Sequence, residues 1–236
     1  MRLSKPVYQL KRRARLLARN EKIPLHEAQD RLAREEGFAA WSLLSARMKA
    51  DPGMSALLPR LADGDLLLLG ARPGQGKTRL GLQLLLDAAR EGRRAVFYTL
   101  EYTEGTAREL LRELADEALA SVPEIVTSGE IGADFIIRHL SGAARGSIAV
   151  VDYLQILDQQ RSKPPLSEQM RILAGFARDS GVVIAFISQI DRSFDPKRDP
   201  VPDMGDLRLP NPVPAGIFSK ACFLHAGEAR FHVLLA

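Results

Sequence analysis

LLLLGARPGQGKT, residues 66–78, is the stretch on which the fold turns. Four consecutive leucines, Leu66 to Leu69, read as a strand buried on both faces, and the chain then passes through a Gly/Pro turn into the periodic helix Arg79 to Arg90. Strand, glycine-rich loop and helix in that order match the phosphate-loop pattern G-x-x-x-x-G-K-[ST]. Gly74 and Gly76 let backbone N–H groups curl around phosphate oxygens, Lys77 reaches the β and γ phosphates as a point charge, and Thr78 offers its hydroxyl to a magnesium ion. The helix N-terminus adds its partial positive charge. The loop is therefore a candidate site for a nucleoside triphosphate, formed by Ala71, Arg72, Pro73, Gly74, Gln75, Gly76, Lys77, Thr78 and Arg79. Ala71 stands where the pattern has its first glycine. Alanine tolerates most conformations that a loop entrance needs. An ordinary helix-opening turn is the alternative, and the order of the three elements argues against it.

Working outward, strands and helices alternate, which predicts a mainly parallel central sheet with right-handed crossovers. The further strands are Ala95 to Leu100, Ser147 to Val151 and Val182 to Ser188. Between them lie a helix capped by Thr103 or Thr106 and running to about Ala120, a shorter one from Ile131 to Leu140, and an amphipathic one from Ser167 to Ser180. A hairpin, Ala221 to His225 and Arg230 to Leu235, closes the chain. Residues 191–214 are rich in Pro and Asp and carry no apolar period, and loops of that length tend to be functional or disordered.

The 236 residues suffice for one good core and a small appendage, predicted as a basic helical module over 1–50 and an ATPase-type domain over 51–236. No run approaches 18 apolar residues and no apolar signal core follows the basic start, which points to the cytoplasm and away from membranes. The single cysteine, Cys222, can form neither an internal disulfide nor a multi-cysteine metal site, and its apolar run predicts a buried side chain. Net charge is +4, but residues 1–50 carry 12 Lys+Arg against 5 Asp+Glu, a surplus of +7 that leaves −3 for the rest. Three short helices are predicted there. One spans Val7 to Asn20, with cations around Leu10, Leu16 and Leu17; one runs from Pro24 to Gly37, with the stripe Leu25, Ala28, Leu32 and Ala33; and one covers Ala39 to Lys49, closed by Phe38, Trp41 and Leu44. Such a module suits contact with nucleic-acid phosphate, docking on a neighbouring subunit, or merely a solvated face.

In open α/β sheets ligands collect at the carboxyl ends of strands. Three polar residues sit there: Glu101, Asp152 and Gln189. Asp152 suits a carboxylate that holds magnesium, Glu101 a base that polarises the attacking water, and Gln189 a sensor of the γ-phosphate or of that water. Taken singly, an acidic residue at a strand end is more often a cap or turn residue. Together with Lys77 they form a catalytic constellation.

ARPGQGKT at 71–78, TLEYT at 99–103, VVDYLQIL at 150–157, and SQIDRS at 188–193 followed by DLR at 206–208 resemble, in order and wording, the motifs of the bacterial replicative helicase family of the DnaB type. The resemblance covers about Leu61 to Leu224. It implies a RecA-like P-loop ATPase that uses ATP and Mg²⁺, assembles as a hexameric ring or filament, and acts on DNA, single-stranded in the first place. The family commonly has alanine at the position of Ala71. It places the catalytic glutamate at Glu101, the magnesium aspartate at Asp152, and nucleic-acid contacts around Arg192, Lys197, Arg198 and Arg208; the loop's own residues add Phe194 as a candidate platform for a stacked base. Two departures are expected to matter. Where the family carries a Lys-x-Arg finger that reaches the neighbour's site, this chain has His225 to Arg230, with Arg230 as the substitute, and the small basic module stands in place of a large N-terminal domain. An ATP-dependent oligomeric regulator or scaffold without unwinding activity is the rival reading.

Overall fold

The computed structural model describes residues 7–44, 57–115, 122–158, 163–191, 193–195, 201–208, 213–214, 216–226 and 228–234. The chain divides into two compact units, Met1–Ser55 with Ala226–Glu228, and Ala56–His225 with Ala229–Ala236. No helix among the described residues is long and apolar enough to cross a membrane.

The first unit holds helices α1 (Val7–Glu21) and α2 (Leu25–Glu35), and residues 41–44 are also helical. The remainder of the predicted third helix lies outside the described residues. Leu10, Ala33 and Leu44 pack with Phe38 and Trp41, while Ala14, Ala28 and Leu32 pack with Leu17 and Ile23. The backbone N–H of Trp41 donates to Asp30 Oδ1 at 2.8 Å, which ties the third stretch to α2. Two predicted stripe residues face solvent instead, Leu16 at 50% and Leu25 at 43% exposure. Leu25 opens α2 directly after its N-cap Pro24, at the end of a stripe whose other members, Ala28, Leu32 and Ala33, are buried as predicted. The cationic surface is also partly neutralised: Arg13 pairs with Glu35 at 2.8 Å, and Arg31 with Glu21 at 2.6 Å and Glu27 at 2.9 Å. Exposed pairs of this kind add little stability but reduce the field a polyanion would feel.

The second unit is a seven-stranded sheet in the order β3-β2-β4-β5-β1-β6-β7. Its strands are β1 (Leu66–Ala71), β2 (Ala95–Thr99), β3 (Glu124–Val126), β4 (Ile148–Asp152), β5 (Val183–Gln189), β6 (Lys220–His225) and β7 (Glu228–Val233). β1 pairs in parallel with both β5 and β6, β4 with β2 and β5, and β2 with β3. The two-residue connection between β6 and β7 makes that pair antiparallel, since a parallel pair needs a long crossover. The predicted hairpin is thus present, and Ala226 takes a left-handed φ of 50° in its turn.

Every residue of β1, β2 and β4 is buried because helices cover both faces. The side chains alternate: Leu66, Leu68, Val96, Tyr98, Ala149, Val151, Ile184 and Phe186 point to one apolar layer. Leu67, Leu69, Phe97, Ile148, Val150, Val183, Ala185 and Ile187 point to the other. The first layer is closed by α5 (Ala133–Leu140) and α6 (Leu166–Ser180), the second by α3 (Lys77–Arg90) and α4 (Glu104–Leu114). α3 lies close on the sheet. A Cβ on Gly81 would meet Val150 and Ile187 at 3.0 and 3.1 Å. Cys222 is buried as predicted, and burial pushes its thiol up to about 12. β3 has no counterpart in the sequence reading.

Candidate functional site

All strands that carry the candidate residues run parallel, so their carboxyl ends share one edge of the sheet. β1 ends at Ala71, whose methyl is fully buried in the layer beneath α3 and α4, so the pattern's first glycine is replaced by a residue that adds to the core. The loop then turns on Gly74 at φ 75° and Gly76 at φ 93°, conformations that favour glycine. Gly76 is the N-cap of α3 and offers no side chain to the first-turn N–H groups. A helix N-terminus without a side-chain cap suits an anion.

Thr78 Oγ1 donates to Asp152 Oδ2 at 2.8 Å across the gap from α3 to β4. Asp152 is 0% exposed, and its second oxygen, Oδ1, has no hydrogen-bond partner. A buried carboxylate oxygen without a donor, next to a hydroxyl and a phosphate loop, fits a hard divalent cation, which Mg²⁺ satisfies with one or two carboxylates plus substrate phosphates. Among the described residues no group of three or more His, Cys, Asp or Glu side chains could hold a metal by itself. Burial pushes the Asp152 carboxyl from its ordinary 3.8 up to about 6, the charge of Glu101 pushes the same way, and Thr78 and Lys77 oppose both. A carboxyl whose folded value lies above its unfolded value holds its proton longer in the fold. Its stabilising contribution is complete below pH 3.8 and is lost as pH rises to about 6. In the absence of metal and nucleotide, Asp152→Asn is therefore expected to gain stability over the native protein as pH rises from 4 to 7, by on the order of 3 kcal/mol in urea titrations. Parallel pH curves for the two proteins would remove the buried carboxylate as the cause.

Glu101 follows β2, exposed, and its backbone N–H donates to the buried Thr99 hydroxyl at 3.1 Å. Its effect on Asp152 brings the two carboxylates into one electrostatic site with Lys77 and Thr78. Gln189 ends β5 directly beside Ala71 in the strand register. Two loop residues are engaged elsewhere: Arg72 donates from its guanidinium to the Phe194 carbonyl, and Arg79 pairs with Glu113 of α4 at 3.9 Å. Tyr102 was not singled out from the sequence. Its half-buried hydroxyl lies within hydrogen-bonding reach of Thr78, and burial above all raises its pKa. Gln155, within VVDYLQIL, donates to the Arg208 carbonyl at 2.9 Å and so ties the turn after Asp152 to the segment after β5. Nothing in spacing or periodicity marks either residue.

Of the candidate nucleic-acid residues, Arg192, Lys197 and Arg198 lie outside the described residues. Arg208 is exposed, and its backbone N–H donates to the Gln189 carbonyl at 2.8 Å. Phe194 is a correction: at 5% exposure it is packed inside and cannot offer a face to a base. Its ring lies beneath the Arg72 guanidinium, 5.4 Å from the centroid, and meets His225 edge to face at 5.4 Å. Arg230 sits on β7.

Residues 130–211 match the family described as DnaB-like helicase C terminal domain, a stretch that contains Asp152, Gln189 and Arg208 but not the phosphate loop. A probable plasmid replicative DNA helicase of Chlamydia muridarum is 26% identical over 180 residues, covering 63% of this chain and 40% of that protein. The replicative DNA helicase DnaB of Mycoplasma pneumoniae is 26% identical over 189 residues, covering 62% and 39%. The chain thus spans about two fifths of the length of these curated relatives. Among solved structures, an isolated ATPase domain superposes with a TM-score of 0.56 at 18% identity, over 78% of this chain and 81% of that one. A DnaB-like replicative helicase, solved with its interactions with primase, gives 0.58 at 17%, over 95% and 73%. At such identities the structural likeness speaks for the fold alone. Residues 130–211 are thus similar to the DnaB-like helicase C terminal domain, the curated relatives are replicative DNA helicases, and the chain is built on the RecA-like P-loop fold.

Proposed function

We propose that this protein is an ATP hydrolase of the helicase type, a cytoplasmic ATPase that couples nucleotide turnover to DNA as a homo-oligomeric ring or filament. The observation that carries the reading is the buried Thr78–Asp152 pair with its unpartnered carboxylate oxygen, set against an uncapped helix N-terminus at the end of a glycine loop. In this reading Lys77 and the N–H groups of the loop hold the phosphates, Thr78 and Asp152 hold Mg²⁺, Glu101 takes a proton from the attacking water, and Gln189 orients that water. The ion, when bound, supplies charge neutralisation on the phosphates. The names of the relatives, replicative DNA helicases, support DNA as the substrate.

A second reading, an ATP-dependent oligomeric scaffold, is favoured by one observation. Phe194 is buried, so the segment after β5 has lost its candidate base platform, and the sequence there adds five aspartates to four cations. The discriminating experiment is ATP hydrolysis at low salt with and without single-stranded DNA, alongside fluorescence anisotropy of a labelled strand. Under the helicase-type reading, DNA stimulates turnover and binds weakly, without sequence preference, and with a steep salt dependence. ATP hydrolysis with no binding to any strand would discard the DNA assignment and leave the scaffold.

A further inference from the structure

We infer that Tyr98, His139 and Glu124 form a brace that fixes where Glu101 stands at the sheet edge; the inference rests on the role given to Glu101 above. Glu101 lies two residues beyond β2, a strand with uneven support. Ala95–Thr99 pair along their whole length with β4, which sets Thr99 beside Asp152. On the other side only Val96–Tyr98 are paired, with the three residues of β3 at the sheet margin. Thr99 therefore has a strand neighbour on one side, and Glu101 is tied back to it through its N–H, which donates to Thr99 Oγ1 at 3.1 Å. The place of the carboxylate then depends on how firmly the end of β2 is held.

Tyr98, the residue before Thr99, is fully buried, and its hydroxyl reaches His139 Nδ1 at 2.7 Å. The two rings meet edge to face, 5.6 Å apart at 85°, and Phe135, one turn earlier on α5, flanks the imidazole at 6.0 Å. The other ring nitrogen of His139 lies 2.7 Å from Glu124 Oε1. Glu124 Oε2 accepts from Arg94 at 3.2 Å, and the same guanidinium nitrogen donates to the His139 carbonyl at 3.2 Å. Arg94 precedes β2 and Tyr98 closes its stretch paired on both sides, so the circuit runs along the strand by way of β3 and α5.

Each member has one available role. Burial raises the Tyr98 pKa, so the phenol keeps its proton and donates it. A carboxylate at Glu124 can only accept. His139 thus takes the Nε2–H tautomer, accepting from Tyr98 at Nδ1 and donating to Glu124 at Nε2. Bonds that all run in one direction hold strand, margin and helix in a single arrangement. A base that must meet a water within hydrogen-bond reach is sensitive to small displacements of the backbone that carries it. Tyr98, His139 and Glu124 are positioning residues in this scheme. None of them needs to touch the reacting atoms.

The test is ATP turnover and nucleotide affinity in Tyr98→Phe, which keeps the ring and removes the hydroxyl alone. kcat is expected to fall about fivefold, the effect of one hydrogen bond, with the Kd for adenosine 5′-(γ-thio)triphosphate within about twofold of native. Glu124→Ala, at an exposed position, should lower kcat about threefold and serves should Tyr98→Phe fail to fold. His139→Leu should match Tyr98→Phe, whereas His139→Gln, whose amide can accept from Tyr98 and donate to Glu124, should recover most of the loss. In a Glu101→Gln background Tyr98→Phe should change kcat by less than about 1.5-fold, while a general loosening would persist there. Hydrogen exchange of the Glu101 amide, expected to quicken about threefold in Tyr98→Phe, reads the brace without turnover. Native kcat in both Tyr98→Phe and Glu124→Ala, an equal loss of nucleotide affinity, or the same fall in the Glu101→Gln background overturns the brace. Native kcat in Glu101→Gln with a quickened Glu101 amide in Tyr98→Phe removes the base assignment and leaves the brace. Lost turnover in Glu101→Gln beside an unaltered Tyr98→Phe does the reverse.

Discussion

Lys77→Ala is expected to weaken ATP binding by about 100-fold or more, whereas Glu101→Gln should leave the ATP Kd within about threefold and lower kcat by roughly 10²–10⁴-fold. The contrast follows from when each group acts. In the proposed function Lys77, in the first turn of α3, would meet phosphate in the ground state, and hydrogen bonds to charged groups contribute about 1.5–3 kcal/mol each. Glu101 is exposed at the end of β2, and a proton acceptor for water matters mainly in the transition state, so its loss appears in kcat and not in binding. A second readout tests the same assignment without turnover. The charge of Glu101 is one of the two causes that push Asp152 up to about 6, so Glu101→Gln should move the pH at which Asp152 ionises downward, while Lys77→Ala, which removes an opposing positive charge, should move it upward. Equal loss of ATP binding in both variants would make Glu101 a structural carboxylate.

The central part of the sheet was legible because burial on both faces writes itself as unbroken apolar runs. Leu66–Leu69 and the run Val182–Ile187 have no other stable use at that length. The strand ends were legible for the same reason, since the first polar residue after such a run marks the edge where ligands gather, and Glu101, Asp152 and Gln189 stand at that edge. β3 could not be read. It has three residues at the sheet margin, begins with Glu124, and owes its pairing with Val96–Tyr98 to the neighbour and not to its own pattern. Phe194 illustrates another limit: a lone aromatic in an aperiodic segment looks like a surface platform until the residue that covers it, here Arg72 from 122 positions earlier, is brought near by the fold. Leu25 marks a third limit: it shares a helical face with the buried Ala28 and Leu32 but stands at the first position of α2, and periodicity names the face without telling how far along the helix the packing reaches.

Gln169→Leu is expected to destabilise the protein by about 3–6 kcal/mol, a large share of the roughly 5–15 kcal/mol that holds a typical domain. Gln169 sits on the apolar side of α6 at 1% exposure, where its sequence position predicts an aliphatic residue. Its Oε1 accepts from the Ala133 N–H at 3.0 Å, and its Nε2 donates to the Leu157 carbonyl at 2.6 Å and the Pro164 carbonyl at 2.7 Å. Ala133 opens α5, whose N-cap Gly132 provides no side-chain bond, so Gln169 serves as the missing cap from another helix. Leucine fills nearly the same volume, which removes cavity formation from the comparison and leaves the three backbone groups without partners. Each such group costs about 1–3 kcal/mol when buried. Because Leu157 lies in the 3₁₀ turn Leu154–Asp158 that leaves Asp152, loosening should also reach the site, seen as faster amide exchange in that turn and a weaker ATP Kd. Urea unfolding gives the first quantity and nucleotide titration the second. A loss below about 1 kcal/mol with ATP affinity unchanged would mean that water replaces the amide at all three groups, and that the turn after Asp152 is held by its apolar contacts alone.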